Sequence, residues 1–103
     1  MRLSTIVDYS LDPRTIADAV AALERAGVDI VWVPEVYTFD APSLLGYLAA
    51  RTTTIQLGSG ILPIYSRTPT LLAMTAAGID ALSDGRCILG LGASGPQIGR
   101  AHV

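Results

Sequence analysis

Three short stretches of the chain carry residues that chemistry can use. The first is Gly90-x-Gly92-x-x-Gly95, with Ala93 and Ser94 inside it. Glycines where a strand ends let the backbone approach a ligand closely and leave N–H groups free to hold an anion. The spacing literally satisfies the dinucleotide-binding fingerprint, and it also suits turn glycines with no chemical role. Against the fingerprint, Pro96 follows at once, the segment comes after a late strand, and no acidic residue stands about twenty positions further on. The second stretch holds Glu35, a carboxylate just after an apolar run. It is a candidate acid or base if burial raises its pKa, and a loop-fixing hydrogen-bond acceptor if not. The third is a set of Tyr37, Tyr65 and Arg67, which on the same side of a fold would line a pocket, or else be solvated or locally packed. The one histidine, His102, and the one cysteine, Cys87, have no partners at metal-ligand spacing, so no metal is expected. Cys87, in the apolar run Cys87-Ile88-Leu89, reads as core filler.

These residues need elements to position them, and the chain alternates between a strand period and a helix period. Leu3 to Tyr9 reads as a strand. Asp12 caps a helix that starts at Pro13, turns Ile16, Val20 and Leu23 to one face and stops at Gly27. Asp29 to Val33 is a second strand, continuously apolar as for a strand covered on both faces. A second helix follows Asp40 and Pro42 with Leu44, Leu45 and Leu48 inward, and Thr53 to Ser59 is a third strand. Thr68-Pro69 opens a third helix with Leu72, Ala76, Ile79 and Leu82 on one face, Ser83-Asp84-Gly85 stops it, and Cys87 to Leu91 is a fourth strand. Strict alternation implies right-handed crossovers and a parallel sheet, either open and doubly wound or closed into a barrel.

Composition limits the function classes. Of 103 residues half are apolar and 16% charged, with a formal net charge of −2, which describes a globular chain. The seven basic residues are all arginine and scattered, so neither a phosphate-neutralising stripe nor a polybasic membrane patch is present. Neither nucleic acid nor membrane is an expected partner. The start of the chain has no secretory pattern and no spanning helix, which points to a cytoplasmic protein.

Several stretches in order carry a family resemblance: Trp32-Val33-Pro34-Glu35, Leu57-Gly58-Ser59-Gly60-Ile61-Leu62-Pro63, Arg67-Thr68-Pro69-Thr70, and Leu82-Ser83-Asp84-Gly85-Arg86 leading into Leu89-Gly90-Leu91-Gly92-Ala93-Ser94-Gly95. Their order and spacing resemble the bacterial luciferase-like superfamily from Met1 to Gln97, and the wording is most similar to its coenzyme F420-dependent branch. The resemblance implies an α/β fold, the N-terminal half of a (β/α)8 TIM barrel with about four βα units, because a whole barrel takes roughly 250 residues. It also implies a cofactor at the C-terminal mouth of the strands. In this family the third strand ends in a bulge with a non-proline cis peptide that props the deazaflavin or flavin ring. The matching positions are Gly60 and Ile61, with Ser59 just before, and Gly92, Ala93 and Ser94 match a second segment near the cofactor. Some sugar-oxidising relatives carry an acid-histidine pair where this chain has Glu35-Val36, so that proton-transfer arrangement is not expected.

The implied activity is hydride transfer between coenzyme F420 and an organic substrate. The alternatives are an FMN-dependent monooxygenase of the same fold and, in a different class, an inert half-barrel with open sheet edges. The expected partners are a small-molecule substrate and, for the complete protein, a second copy of itself. The tail Ile98 to Val103 continues none of these patterns. It back-translates as ATC GGA AGA GCA CAC GTC, which resembles a common short-read sequencing adapter whose next codon, TGA, is a stop. The expectation is therefore a native domain over 1–97, continuing past Gln97, and a non-native tail over 98–103.

Overall fold

The computed structural model describes residues 1–35 and 39–93. Tyr37, Ser94, Gly95 and the tail 98–103 lie outside the described residues.

Each helix begins where its sequence supplies a cap. α1 (Pro13–Arg25), α2 (Ala41–Arg51) and α3 (Pro69–Leu82) follow Asp12, Asp40 and Thr68, whose side chains accept first-turn N–H groups, and each has proline in its first two positions. The cap satisfies a donor the helix leaves orphaned, and proline there forfeits no hydrogen bond. Gly27, just past α1, has a φ of +96°, a left-handed turn that a side chain would resist.

Six strands alternate with these helices: β1 (Ser4–Ile6), β2 (Ile30–Val33), β3 (Gln56–Ser59), β4 (Leu62–Pro63), β5 (Cys87–Ile88) and β6 (Leu91–Gly92). Four of them form a parallel sheet in the order β1-β2-β3-β5, and β4 pairs in parallel with β6. A doubly wound dinucleotide-binding sheet reverses its order at a switch point. This sheet advances in chain order without reversal, which is the winding of a barrel. The dinucleotide-binding reading of the glycine segment is thereby overturned.

The sheet departs from the expected four strands in two ways. The third and fourth each break in two, for a reason given below. The third also starts later than Thr53, because the N–H groups of Thr53, Thr54 and Ile55 all donate to one Glu24 carboxylate oxygen at 2.7–2.9 Å and not to a neighbouring strand. These bonds hold the Glu24 carboxyl below its ordinary value although burial alone would raise it.

The core lies between the helices and one face of the sheet. Val31, Val33 and Leu57 pack there with Ile16, Val20, Leu44, Leu45, Leu48 and Ile79, all buried. On the opposite face Ile6 is exposed and Ile30 and Trp32 are half-buried. The continuous apolar run of β2 therefore alternates in burial. In α3, Leu72 and Ile79 are inward as expected, whereas Leu82 is 70% exposed. α3 is apolar on nearly every side, with Leu71 and Met74 also exposed, so residue spacing does not single out one face. Cys87 is half-buried and packs against the core, and burial pushes its thiol pKa up.

The base of the sheet is tied by Arg86. Its guanidinium donates to the carbonyls of Ser83, Ile55, Ala49 and Thr52 and to the Thr52 hydroxyl, at 2.6–3.2 Å. Ser83 and Thr52 are the C-caps of α3 and α2, so one cation serves the negative ends of two helices. Among the described residues no helix is long and apolar enough to cross a membrane, and no group of three or more His, Cys, Asp or Glu could hold a metal ion.

Candidate functional site

The break in the third and fourth strands is a β-bulge. Gly58 pairs with Ile88 below it and Leu62 with Leu91 above it, so Ser59, Gly60 and Ile61 stand opposite only Leu89 and Gly90. An unequal count of this kind bends a strand and re-aims its side chains. The Gly60–Ile61 peptide within it is cis, at the position for which the family resemblance implies one. The backbone is pinned on both sides: Gly60 N–H donates to Val33 O, Leu62 N–H to Gly90 O and Ile64 N–H to Gly92 O, each at 2.9 Å.

Close packing explains the glycines here. A Cβ on Gly58 would lie 2.4 Å from two ring carbons of Trp32, and one on Gly60 3.1 Å from the Trp32 Cβ. Trp32 of β2 thus takes the space that side chains at both positions would need. A Cβ on Gly90 would lie 2.2 Å from the Ser59 carbonyl oxygen, and one on Gly92 2.7 Å from Ile61 Cδ1. The candidates Gly60, Ile61, Gly92 and Ala93 therefore come from two segments that touch, and together they line the C-terminal end of the sheet. Gly60, Ile61 and Gly92 are half-buried and Ala93 is exposed. Ser94 lies outside the described residues. Ser59 is 2% exposed, and its hydroxyl faces Gly90, away from the surface of the site.

Trp32 stands in one of the stretches that carry the family resemblance but was not among the candidate site residues. Its signal was the pair Gly58 and Gly60, two positions apart on one strand face, which leaves room for a single large ring from the neighbouring strand. Substituting Gly58→Ala should displace that ring and destabilise the protein by about 1–3 kcal/mol, as overpacking does. Because Trp32 is the one tryptophan, its emission maximum and a urea unfolding curve check this directly. Unchanged emission and stability would contradict the contact.

Glu35 sits at the end of β2 and is 8% exposed. Arg67, just before α3, donates to both its carboxylate oxygens at 2.5 and 2.7 Å, and Ala41 N–H at the start of α2 donates at 2.7 Å. Burial pushes the carboxyl up, but the bonds and charge of Arg67 and the Ala41 N–H outweigh it, and the pKa is lowered. The condition for acid–base use, a raised pKa, is not met. Glu35 instead fixes two loops, as in the alternative weighed from sequence. Arg67, with its charge committed to Glu35, is packed locally, the second of the two alternatives for it, while Tyr65 is exposed.

Tyr9 extends this network. Its hydroxyl donates to Pro34 O at 2.8 Å, and burial together with the charges of Glu35 and Asp40 pushes its pKa up to about 12. The phenol therefore stays protonated and bonded. Loops after three successive strands of the sheet are joined in this way at the mouth. A cavity of about 360 Å³ opens between the starts of α1 and α2, lined among others by Tyr9, Ile16, Phe39 and Tyr47. None of the bulge residues borders it.

A family model for luciferase-like monooxygenases matches residues 1–102. A Mycobacterium tuberculosis protein named for coenzyme F420-dependent oxidoreductase activity is 44% identical over 86 residues, which is 84% of this chain and 25% of that protein. The coenzyme F420-dependent tetrahydromethanopterin reductase of Methanopyrus kandleri superimposes with a TM-score of 0.85 at 27% identity, covering 98% of this chain and 29% of the other. The oxygenating component of the 3,6-diketocamphane monooxygenase of Pseudomonas putida, in complex with FMN, superimposes with a TM-score of 0.83 at 20% identity, over 99% and 32% of the two chains. The chain spans about a quarter of the length of the curated relatives it matches.

Proposed function

The chain belongs to the luciferase-like monooxygenase family, and from that premise we propose that it forms one wall of a coenzyme F420 site in an oxidoreductase acting on a small organic molecule. The observation that carries this reading is the bulge, at which Gly60-Ile61 and Gly92-Ala93 are brought together at the C-terminal end of a barrel-wound sheet. Barrel enzymes place their chemistry at this end.

The residues present fit a planar ring. Trp32, Gly60 and Ile61 offer a half-buried wall with little polar side-chain surface, in which Trp32 takes the space that side chains at Gly58 and Gly60 would occupy. A bound deazaflavin would supply the hydride acceptor or donor. The protein's part is to place the ring and keep water from it. Glu35 and Arg67 hold the surrounding loops and are not assigned a proton-transfer step.

The 44% identity to a protein named for F420-dependent oxidoreductase activity favours F420 over FMN. Titrating the purified full-length protein with coenzyme F420 and with FMN, followed by cofactor fluorescence, tests this, because these residues form only one wall of the site. The expected result is saturable binding of F420 and weaker binding of FMN. Preference for FMN would move the assignment to a monooxygenase, and binding of neither would remove the cofactor reading.

A further inference from the structure

The bulge leaves a gap in the hydrogen-bond ladder between the third and fourth strands, and one side chain closes it. Ser59 Oγ accepts from Gly90 N–H and donates to Gly90 O, both at 2.8 Å, and the same Gly90 oxygen also accepts from Leu62 N–H at 2.9 Å. A hydroxyl has one hydrogen to give, and here it is spent on Gly90 by a residue that is 2% exposed. We propose that Ser59 is a positioning residue, which sets the spacing between Gly60-Ile61 and Gly92-Ala93 by clamping both backbone groups of Gly90, and that it does not itself touch the cofactor. This inference rests on the cofactor reading above for its consequence and on the hydrogen bonds for its geometry.

The chemistry of the position is narrow. Where two strands run with unequal residue counts, backbone groups at the mismatch lose their regular partners. A buried N–H or C=O without a partner is unfavourable. A serine hydroxyl is short enough to reach a neighbouring backbone and is both donor and acceptor, so it replaces a pair of ladder bonds with one atom. The absence of a Cβ at Gly90, which would stand 2.2 Å from Ser59 O, lets the two backbones come within that reach. The segments expected to face the cofactor then move together as one wall.

The test is Ser59→Ala with two readouts on the full-length protein: hydrogen exchange at the Gly90 amide without ligand, and affinity for coenzyme F420. Both should change, with Gly90 exchange at least tenfold faster and F420 affinity at least tenfold weaker. Unchanged Gly90 exchange overturns the clamp. Faster exchange with intact affinity overturns the positioning role and leaves a structural bond only. Weaker affinity with unchanged exchange would mean that Ser59 contacts the cofactor after all. Should Ser59→Ala not fold, Ser59→Cys supplies a side chain of similar shape and weaker hydrogen bonding, and should show the same two changes in smaller measure. If the unaltered protein binds neither F420 nor FMN, the cofactor reading falls by itself, and Gly90 exchange still decides whether Ser59 holds the bulge.

Discussion

Gly90→Ala should destabilise the protein by about 3 kcal/mol, at the upper end of the range for overpacking. The reason is what the added methyl meets. At Gly58 the obstruction is a side-chain ring, which can rotate or slide. At Gly90 it is the Ser59 carbonyl oxygen at 2.2 Å, part of a backbone held on each side by Gly60 N–H to Val33 O and Leu62 N–H to Gly90 O. Relief requires the two strands to separate, which breaks the Ser59 bonds as well. For a domain of this size the loss corresponds to a fall in Tm on the order of 15 °C, accompanied by loss of F420 binding. Thermal unfolding followed by circular dichroism measures it. A Tm within a few degrees of the unaltered protein would show that the strands yield easily and that Gly90 is an ordinary turn residue.

Arg67→Met should be nearly as damaging at neutral pH and much less so in acid. Methionine keeps most of the aliphatic volume and removes the charge. It leaves Glu35 in a place where the two side chains are only 12% and 8% exposed, with the Ala41 N–H as its remaining described partner. Stranding one partner of a buried ion pair destabilises by about 3 kcal/mol, the low end of its range for a pair not fully sealed from water. The pH dependence follows from the direction of the shift. In the unaltered protein the Glu35 pKa is lowered from its ordinary 4.5. Its contribution is therefore complete above that value and is lost as the pH falls through the lower value of the folded state. Without Arg67 the influence of burial dominates, the carboxyl rises, and the variant regains stability on protonation. Urea unfolding at neutral pH and again below pH 4.5 should show the gap between the two proteins narrowing in acid. A gap independent of pH would exclude the ion pair as its cause.

The helices were legible in the sequence because their signals are local. Asp12-Pro13, Asp40 with Pro42, and Thr68-Pro69 each place a cap and a proline within three residues, and each starts a helix where expected. The strands were legible as elements and less so in extent. Nothing near Thr53 says that its N–H will turn to Glu24, 29 residues away. Read from residue types alone, the bulge shows only as glycines at strand ends, and it was the family resemblance that placed a cis peptide at Gly60-Ile61, where the structure has one. What those glycines face is another segment, 31 residues away in the case of Ser59 and Gly90, and no periodicity within a window of one element reports such a partner. Arg67 shows the same limit. Its place in a loop left pocket lining and local packing both open, and its commitment to Glu35, 32 residues earlier, appears only when the loops are folded together.

Glu24 and Arg86 at the base of the sheet share a property that the Glu35–Arg67 pair does not. Every bond described for them above runs to a neutral peptide group or hydroxyl. Dissolved ions screen opposite charges that stand apart in water, and act much less on a charge held against a dipole or on a buried pair in contact. Salt should therefore have little hold on either end of this sheet: the floor is built from charges held against dipoles, and the pair at the mouth is in direct contact and only 12% and 8% exposed.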